Sequence, residues 1–158
     1  MKGLVAISAI ILLIGMAFGA DSALGSGSVK IVYPKVGQNV SMVQNLLGTY
    51  EGLPPASKIF VVVYVTDISR YYPQDFPILL TNRGRWLSKA IIGNETDTGF
   101  EFGLLLVGAD GQASAEIESY LAESKRRGSW PGMEKLPSGT VVYSIINTRR
   151  GQNILNRT

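Results

Sequence analysis

Six carboxylates in the middle of the chain, Asp67, Asp75, Glu95, Asp97, Glu101 and Asp110, are the side chains with the widest chemical reach. A pair of them could share acid and base roles in hydrolysis, and a tight set could ligate calcium. Their spacing supports neither. No alternating acidic run ending in glycine is present, and the nearest approach to a calcium loop, Asn94-Glu95-Thr96-Asp97, reads as a solvated turn. The chain has no Cys and no His, which excludes thiolate nucleophiles, histidine bases, Ser-His-Asp machinery and zinc sites built from those ligands. Neither Ser-x-x-Lys nor Gly-x-Ser-x-Gly occurs, so two further routes to a serine nucleophile are closed. The sequence therefore points to no catalytic residues, no metal and no cofactor.

Aromatic residues are the better candidates, and the chemistry they offer is contact. Tyr71-Tyr72-Pro73-Gln74 is the most distinctive local string and reads as a loop between strands. Tyrosine supplies large contact area at low entropy cost, and loops on a rigid scaffold are where binding concentrates. The ordinary alternative is that one tyrosine plugs the end of the fold while the proline sets the turn. Trp86 and Trp130 could each stack on a sugar ring, although burial in a core is the common fate of so large a ring. Trp130, in Ser129-Trp130-Pro131-Gly132, is the one placed in a loop. Tyr71, Tyr72, Gln74 and Trp130 are accordingly the candidate binding residues, for a protein partner first and a glycan second. Asn39, Asn94 and Asn156 begin N-x-Ser/Thr triplets that could accept a glycan, and they mark surface positions.

The elements that must position these residues begin after an export signal. Lys2 precedes Gly3 to Ala20, which carries no charge and no polar face, and Ala17-Phe18-Gly19 is a small-x-small cleavage tripeptide. Residues 1–20 are read as a cleaved signal peptide, or as an N-terminal membrane anchor if uncleaved, since a spanning helix needs roughly 17 to 25 residues. Export then places the rest of the chain outside the cell or on the outer face of the envelope, with the membrane touched only through that segment. Residues 21–28 are a glycine-rich and serine-rich linker, 29–150 one domain and 151–158 a disordered tail. The formal net charge is only +3, and Lys125-Arg126-Arg127 is the sole basic cluster, so the electrostatic footprint of a nucleic-acid surface is missing.

Within the domain, short apolar runs alternate with Gly, Pro, Asn and Asp, the pattern of successive strands. Seven runs are legible: Val29 to Tyr33, Val40 to Tyr50, Ile59 to Thr66, Ile78 to Thr81, Arg85 to Ile92, Phe100 to Val107 and Thr140 to Thr148. Val61 to Val65 and Leu104 to Val107 are nearly continuous and are expected at the centres of two sheets. Asn82-Arg83-Gly84-Arg85 reads as a tight hairpin and Leu53-Pro54-Pro55-Ala56 as a connection. One helix breaks the pattern before the last strand: Gln112 to Arg127 has Ala113, Ile117, Tyr120 and Leu121 on one face. Asp110 is its N-cap, Gly128 its C′ glycine, and the basic trio complements its negative end.

Several of these strings occur in an order and spacing that match a known family. Ile31-Val32-Tyr33-Pro34 is followed by Gly37 and Val40, then Leu47-Gly48-Thr49-Tyr50 and Gly52-Leu53-Pro54. The long apolar third strand comes next, followed by Tyr71-Tyr72-Pro73-Gln74, Gly84-Arg85-Trp86, and Gly99-Phe100-Glu101-Phe102 leading into Leu104 to Asp110; the final strand ends at Arg149. The pattern resembles the immunoglobulin-like domains of exported and cell-surface proteins of bacteria and archaea, and spans the whole domain. The resemblance implies a β-sandwich, and with the seven runs and the helix the expected fold is an all-β, antiparallel immunoglobulin-like sandwich of about seven strands with one short helix inserted before the last. It also implies a spacer, adhesion or interaction module without catalysis. A structural subunit of a surface layer or filament, assembled by strand addition, is a further reading.

Overall fold

The computed structural model describes residues 27–53 and 58–151. The export segment, nearly all of the linker, Pro54 and Pro55, Asn156 and the tail after Gly151 lie outside the described residues. The described chain runs β1 (Ser28–Tyr33), β2 (Asn39–Val40), β3 (Val43–Glu51), β4 (Lys58–Val65), β5 (Arg70–Pro73), β6 (Leu79–Leu80), β7 (Arg85–Ile91), β8 (Glu101–Ala109), α1 (Gly111–Arg127) and β9 (Thr140–Arg150). They form a four-stranded sheet, β1-β3-β7-β6, and a five-stranded sheet, β2-β9-β8-β4-β5.

The strands number nine among the described residues, not seven, and two expectations change with them. The run from Val40 to Tyr50 is two strands: β2 pairs with β9, the chain crosses at Ser41-Met42, and β3 joins the other sheet. Tyr71-Tyr72-Pro73 is not a loop but the body of β5, paired with β4 from Val62–Pro73 to Val65–Arg70. Pro73 is tolerated because β5 is an edge strand, where a missing N–H breaks no central ladder. The pairing is also not antiparallel throughout, because β2 runs parallel to β9.

Burial explains the layering. Along β3 and β7 buried and exposed residues alternate, so the four-stranded sheet covers only one of its faces. The two nearly continuous apolar runs do not centre two sheets: β4 and β8 are neighbours in one sheet, paired from Lys58–Ala109 to Val65–Phe102. They are apolar on both sides because both sides are covered. Val61, Val63, Leu104 and Leu106 share a core with Val29, Leu46 and Trp86 of the opposite sheet, giving a sandwich-like arrangement. Val62, Leu105 and Val107 pack on the other side with Tyr64, Tyr71 and Leu136, while α1 lays Ala113, Ile117 and Leu121 against Ala109 and Phe60.

Local chemistry fixes the details. Asp110 Oδ1 accepts the Ala113 N–H at 2.9 Å, which caps α1, and Gly128 closes the helix at φ 62°. Gly84 takes the left-handed position in the β6–β7 hairpin at φ 66°. Gly48 answers a close approach instead: a Cβ there would overlap the Trp86 indole and the Lys30 carbonyl. The missing side chain lets Trp86 lie across β3 and donate from Nε1 to Lys30 O at 3.2 Å.

Candidate functional site

The two sheets do not match at one edge. The last strand of the four-stranded sheet, β6, pairs with β7 only at Leu80–Trp86 and Leu79–Leu87, although β7 continues to Ile91. The five-stranded sheet, by contrast, carries β5 alongside β4. Between them a cleft of about 840 Å³ opens. Its walls come from β4 (Val63, Val65), β5 (Tyr72, Pro73), the connection leaving β5 (Gln74, Asp75, Phe76), the start of β8 (Glu101, Phe102), Phe100 and the turn before it, and Trp130. The surface so formed is largely aromatic and aliphatic, with the carboxylates Asp67, Asp75, Asp97 and Glu101 among its lining residues.

Three of the four candidate binding residues are brought together here, and the fourth is separated by strand geometry. Successive side chains of a strand point to opposite faces. Tyr72 therefore faces the cleft, whereas Tyr71 packs on the far side against Tyr64, ring centroids 4.7 Å apart. Gln74 lines the cleft, but its amide is committed: Oε1 accepts the Ile91 N–H at 2.8 Å and Nε2 donates to Tyr72 O at 2.9 Å. It is a fastener between β5 and β7. Trp130 is 44% exposed and Trp86 only 1%, so Trp86 cannot meet a sugar in the folded protein.

Trp130 is held in place from three directions. Its ring meets Tyr120 edge-on at 6.4 Å, the neighbouring Gly132 N–H donates to the Tyr120 hydroxyl at 3.2 Å, and Met133 bridges Tyr71 through both backbone groups. Gly132 is packed against the Tyr72 ring, where a Cβ would come within 2.8 Å. Burial pushes the Tyr72 phenol above its ordinary pKa, the nearby Tyr120 adds to this, and Arg70 opposes it. The Tyr71 phenol is raised by burial and then by Tyr64.

Three of the four rim carboxylates are held by partners. Asp75 pairs with Lys125 at 3.2 Å and Glu101 with Arg149 at 3.0 Å. Asp97 Oδ2 accepts the Asn94 N–H at 2.9 Å, closing the 94–97 turn on itself, and the Asn94 amide nitrogen turns toward Asp97 Oδ1 at 3.0 Å. The buried Arg150 donates to Asn94 O at 3.2 Å and so ties that turn to the end of β9. Asp67 forms no ion pair among the described residues. Asn39 and Asn94 are both exposed, as their sequons require.

Phe76, Phe100 and Ile68 belong to the site and were not singled out as binding residues in the sequence, and Asp67 was weighed there only as a catalytic or calcium-binding carboxylate. Ile68 and Phe100, each at least half exposed beside a turn, are the signal that was available. Comparisons with protein-family models and with curated proteins find nothing that matches this chain.

Proposed function

We propose that this chain is an exported, non-enzymatic immunoglobulin-like domain that holds part of a partner protein in the cleft at its open edge. The observation that carries the reading is the cleft itself: an apolar cavity of about 840 Å³ walled by Tyr72, Phe76, Phe100 and Trp130. Its size and apolar lining are those of binding pockets generally. The immunoglobulin-like part is supported by strand order. The sheets β1-β3-β7-β6 and β9-β8-β4 correspond to the two sheets of that scheme, with β5 as the extra strand beside β4 and β2 as a switched first strand. Placement at the cell envelope rests on the charge-free run from Gly3 to Ala20.

Site-specific photo-crosslinking tests the reading. A photoreactive residue in place of Ile68, at the cleft, is expected to trap one envelope protein. The same residue in place of Glu118, on the exposed face of α1, is expected to trap none. Equal adducts from both positions would sink the proposal.

Glycan binding is the second reading, favoured by the half-exposed Trp130 ring beside Tyr72. Because Trp86 is buried, any ligand-induced change in tryptophan emission reports on Trp130. An unchanged spectrum across a broad glycan set removes this reading. Strand addition has less support, since β2 and β6 are two-residue edges and β5 is bridged by Met133, which leaves β1 as the one longer open edge among the described strands.

A further inference from the structure

The outward face of the four-stranded sheet carries an apolar row set by strand register. Tyr33 pairs with Leu47, Leu47 with Leu87, and Leu87 with Leu79, so four bulky side chains line up across all four strands. Each is between 38% and 53% exposed. Four residues along β7 from Leu87, the pair Val43–Ile91 forms a second exposed apolar row. Contiguous exposed apolar surface is the kind of feature that interaction sites use.

This face is continuous with the cleft. Ile91 belongs to the second row and also lines the cleft. Phe76 lines both the cleft and a shallower groove of about 460 Å³ whose walls include Leu47, Leu79 and Leu87. Charge changes sign along this path. The cleft end is acidic on balance: Asp67 and Asp97 form no ion pair among the described residues, while Asp75 and Glu101 are each matched by one exposed cation, Lys125 and Arg149. The sheet end is basic on balance: Lys30, Arg85 and Lys89 are exposed there against the single carboxylate Glu51, and none of the three cations forms an ion pair among the described residues. A second copy packed face to face would set these cations against one another.

We infer that the occupant is an extended polypeptide segment that runs beside β7 and enters the cleft, acidic where it crosses the sheet and basic where it meets the rim. This rests on the binding reading of the cleft. Leu87, Lys89 and Ile91 stand at alternate positions of β7, about 7 Å apart on one face. An extended partner has the same repeat, so the segment that fits places an apolar, an acidic and an apolar residue at alternate positions, followed by basic residues.

The probe is a fluorescein-labelled peptide with a glutamate between two leucines at alternate positions and two lysines at its end, titrated into the full chain by anisotropy. A control peptide has the glutamate and the lysines exchanged. The first peptide is expected to bind at least about tenfold more tightly than the control, and more weakly as salt rises. Lys89→Glu is expected to weaken the first peptide about tenfold and to strengthen the control, a reversal that loss of folding would not produce. Equal binding of the two peptides, no binding of either, or indifference to Lys89→Glu overturns the inference. Crosslinking from Ile68 reads the cleft independently: an adduct there with no peptide selectivity would leave the binding reading standing and this one refuted.

Discussion

Gly48 and Trp86 set each other's size. The indole occupies the space a Cβ at position 48 would need, and its N–H satisfies the Lys30 carbonyl of the strand above. Gly48→Ala would push a methyl into a ring that is 1% exposed and surrounded by core. Overpacking of this kind costs about 1 to 3 kcal/mol. Trp86→Phe removes the donor and leaves Lys30 O short of a partner, a loss of about 1 kcal/mol before any cavity is counted. Denaturant unfolding followed by circular dichroism checks both, and a shift below about 0.5 kcal/mol for Gly48→Ala would show that β1 can lift away without cost. Neither substitution touches the cleft, so binding per folded molecule is expected to survive. Gln74 is the opposite kind of residue: its side chain was expected to meet a ligand and instead spends both polar groups joining β5 to β7. Gln74→Leu is therefore expected to lower stability by about 1 to 3 kcal/mol, because the Ile91 N–H loses its acceptor, and to weaken binding only through a misplaced Phe76.

The helix is the element that braces one wall of the cleft. Tyr120 on α1 orients Trp130, and the Lys125–Asp75 pair joins the same helix to the connection that walls the cleft. Asp110→Ala deletes the N-cap acceptor and is expected to cost about 1 kcal/mol, with hydrogen exchange rising first at the N-terminal turn. No change in exchange at Ala113 would refute the capping role. The Glu123–Arg126–Arg127 cluster contributes little by comparison, because it lies at the solvent-facing surface, although hydrogen bonding from Arg126 holds the Glu123 carboxyl below its ordinary range. That helix was legible in the sequence because its signals are local: cap, apolar face and terminal glycine lie within one stretch. β5 was not, since its strand character comes from pairing with β4 and from the bridge to Met133, sixty-odd residues away, while Pro73 argued for a break. The split between β2 and β3 was hidden for a related reason, as Ser41-Met42 has no glycine or proline to mark the crossing. Tyr72 and Trp130 could be singled out as aromatics beside turns. Phe76, Phe100 and Asp67 join them only because one sheet stops a strand short of the other, which no local pattern records.

At the scale of the whole molecule, β5 is where the layers meet. Its Tyr71 side packs beneath the segment that follows α1, and its Tyr72 side faces the cleft between the sheets. Both phenols are held above the ordinary value of 10.0, chiefly by burial. A raised folded-state pKa means that the folded chain keeps protons the unfolded chain has released. The stability this contributes is complete below the unfolded value and is lost as pH rises from about 10 through the raised folded values. Thermal unfolding is therefore expected to be insensitive to these groups up to about pH 9.5 and to shift to lower temperature beyond it. Tyr71→Phe keeps the ring that stacks on Tyr64 and removes the ionisable oxygen, so its alkaline loss should be shallower than that of the parent chain, with little difference at pH 7. Tyr72→Phe should act in the same direction, and because Tyr72 faces the cleft its ionisation should also weaken partner binding over the same range. An alkaline slope identical in the parent and both variants would mean that β5 is solvated enough to ionise in place, and that the junction between the layers is looser than its packing implies.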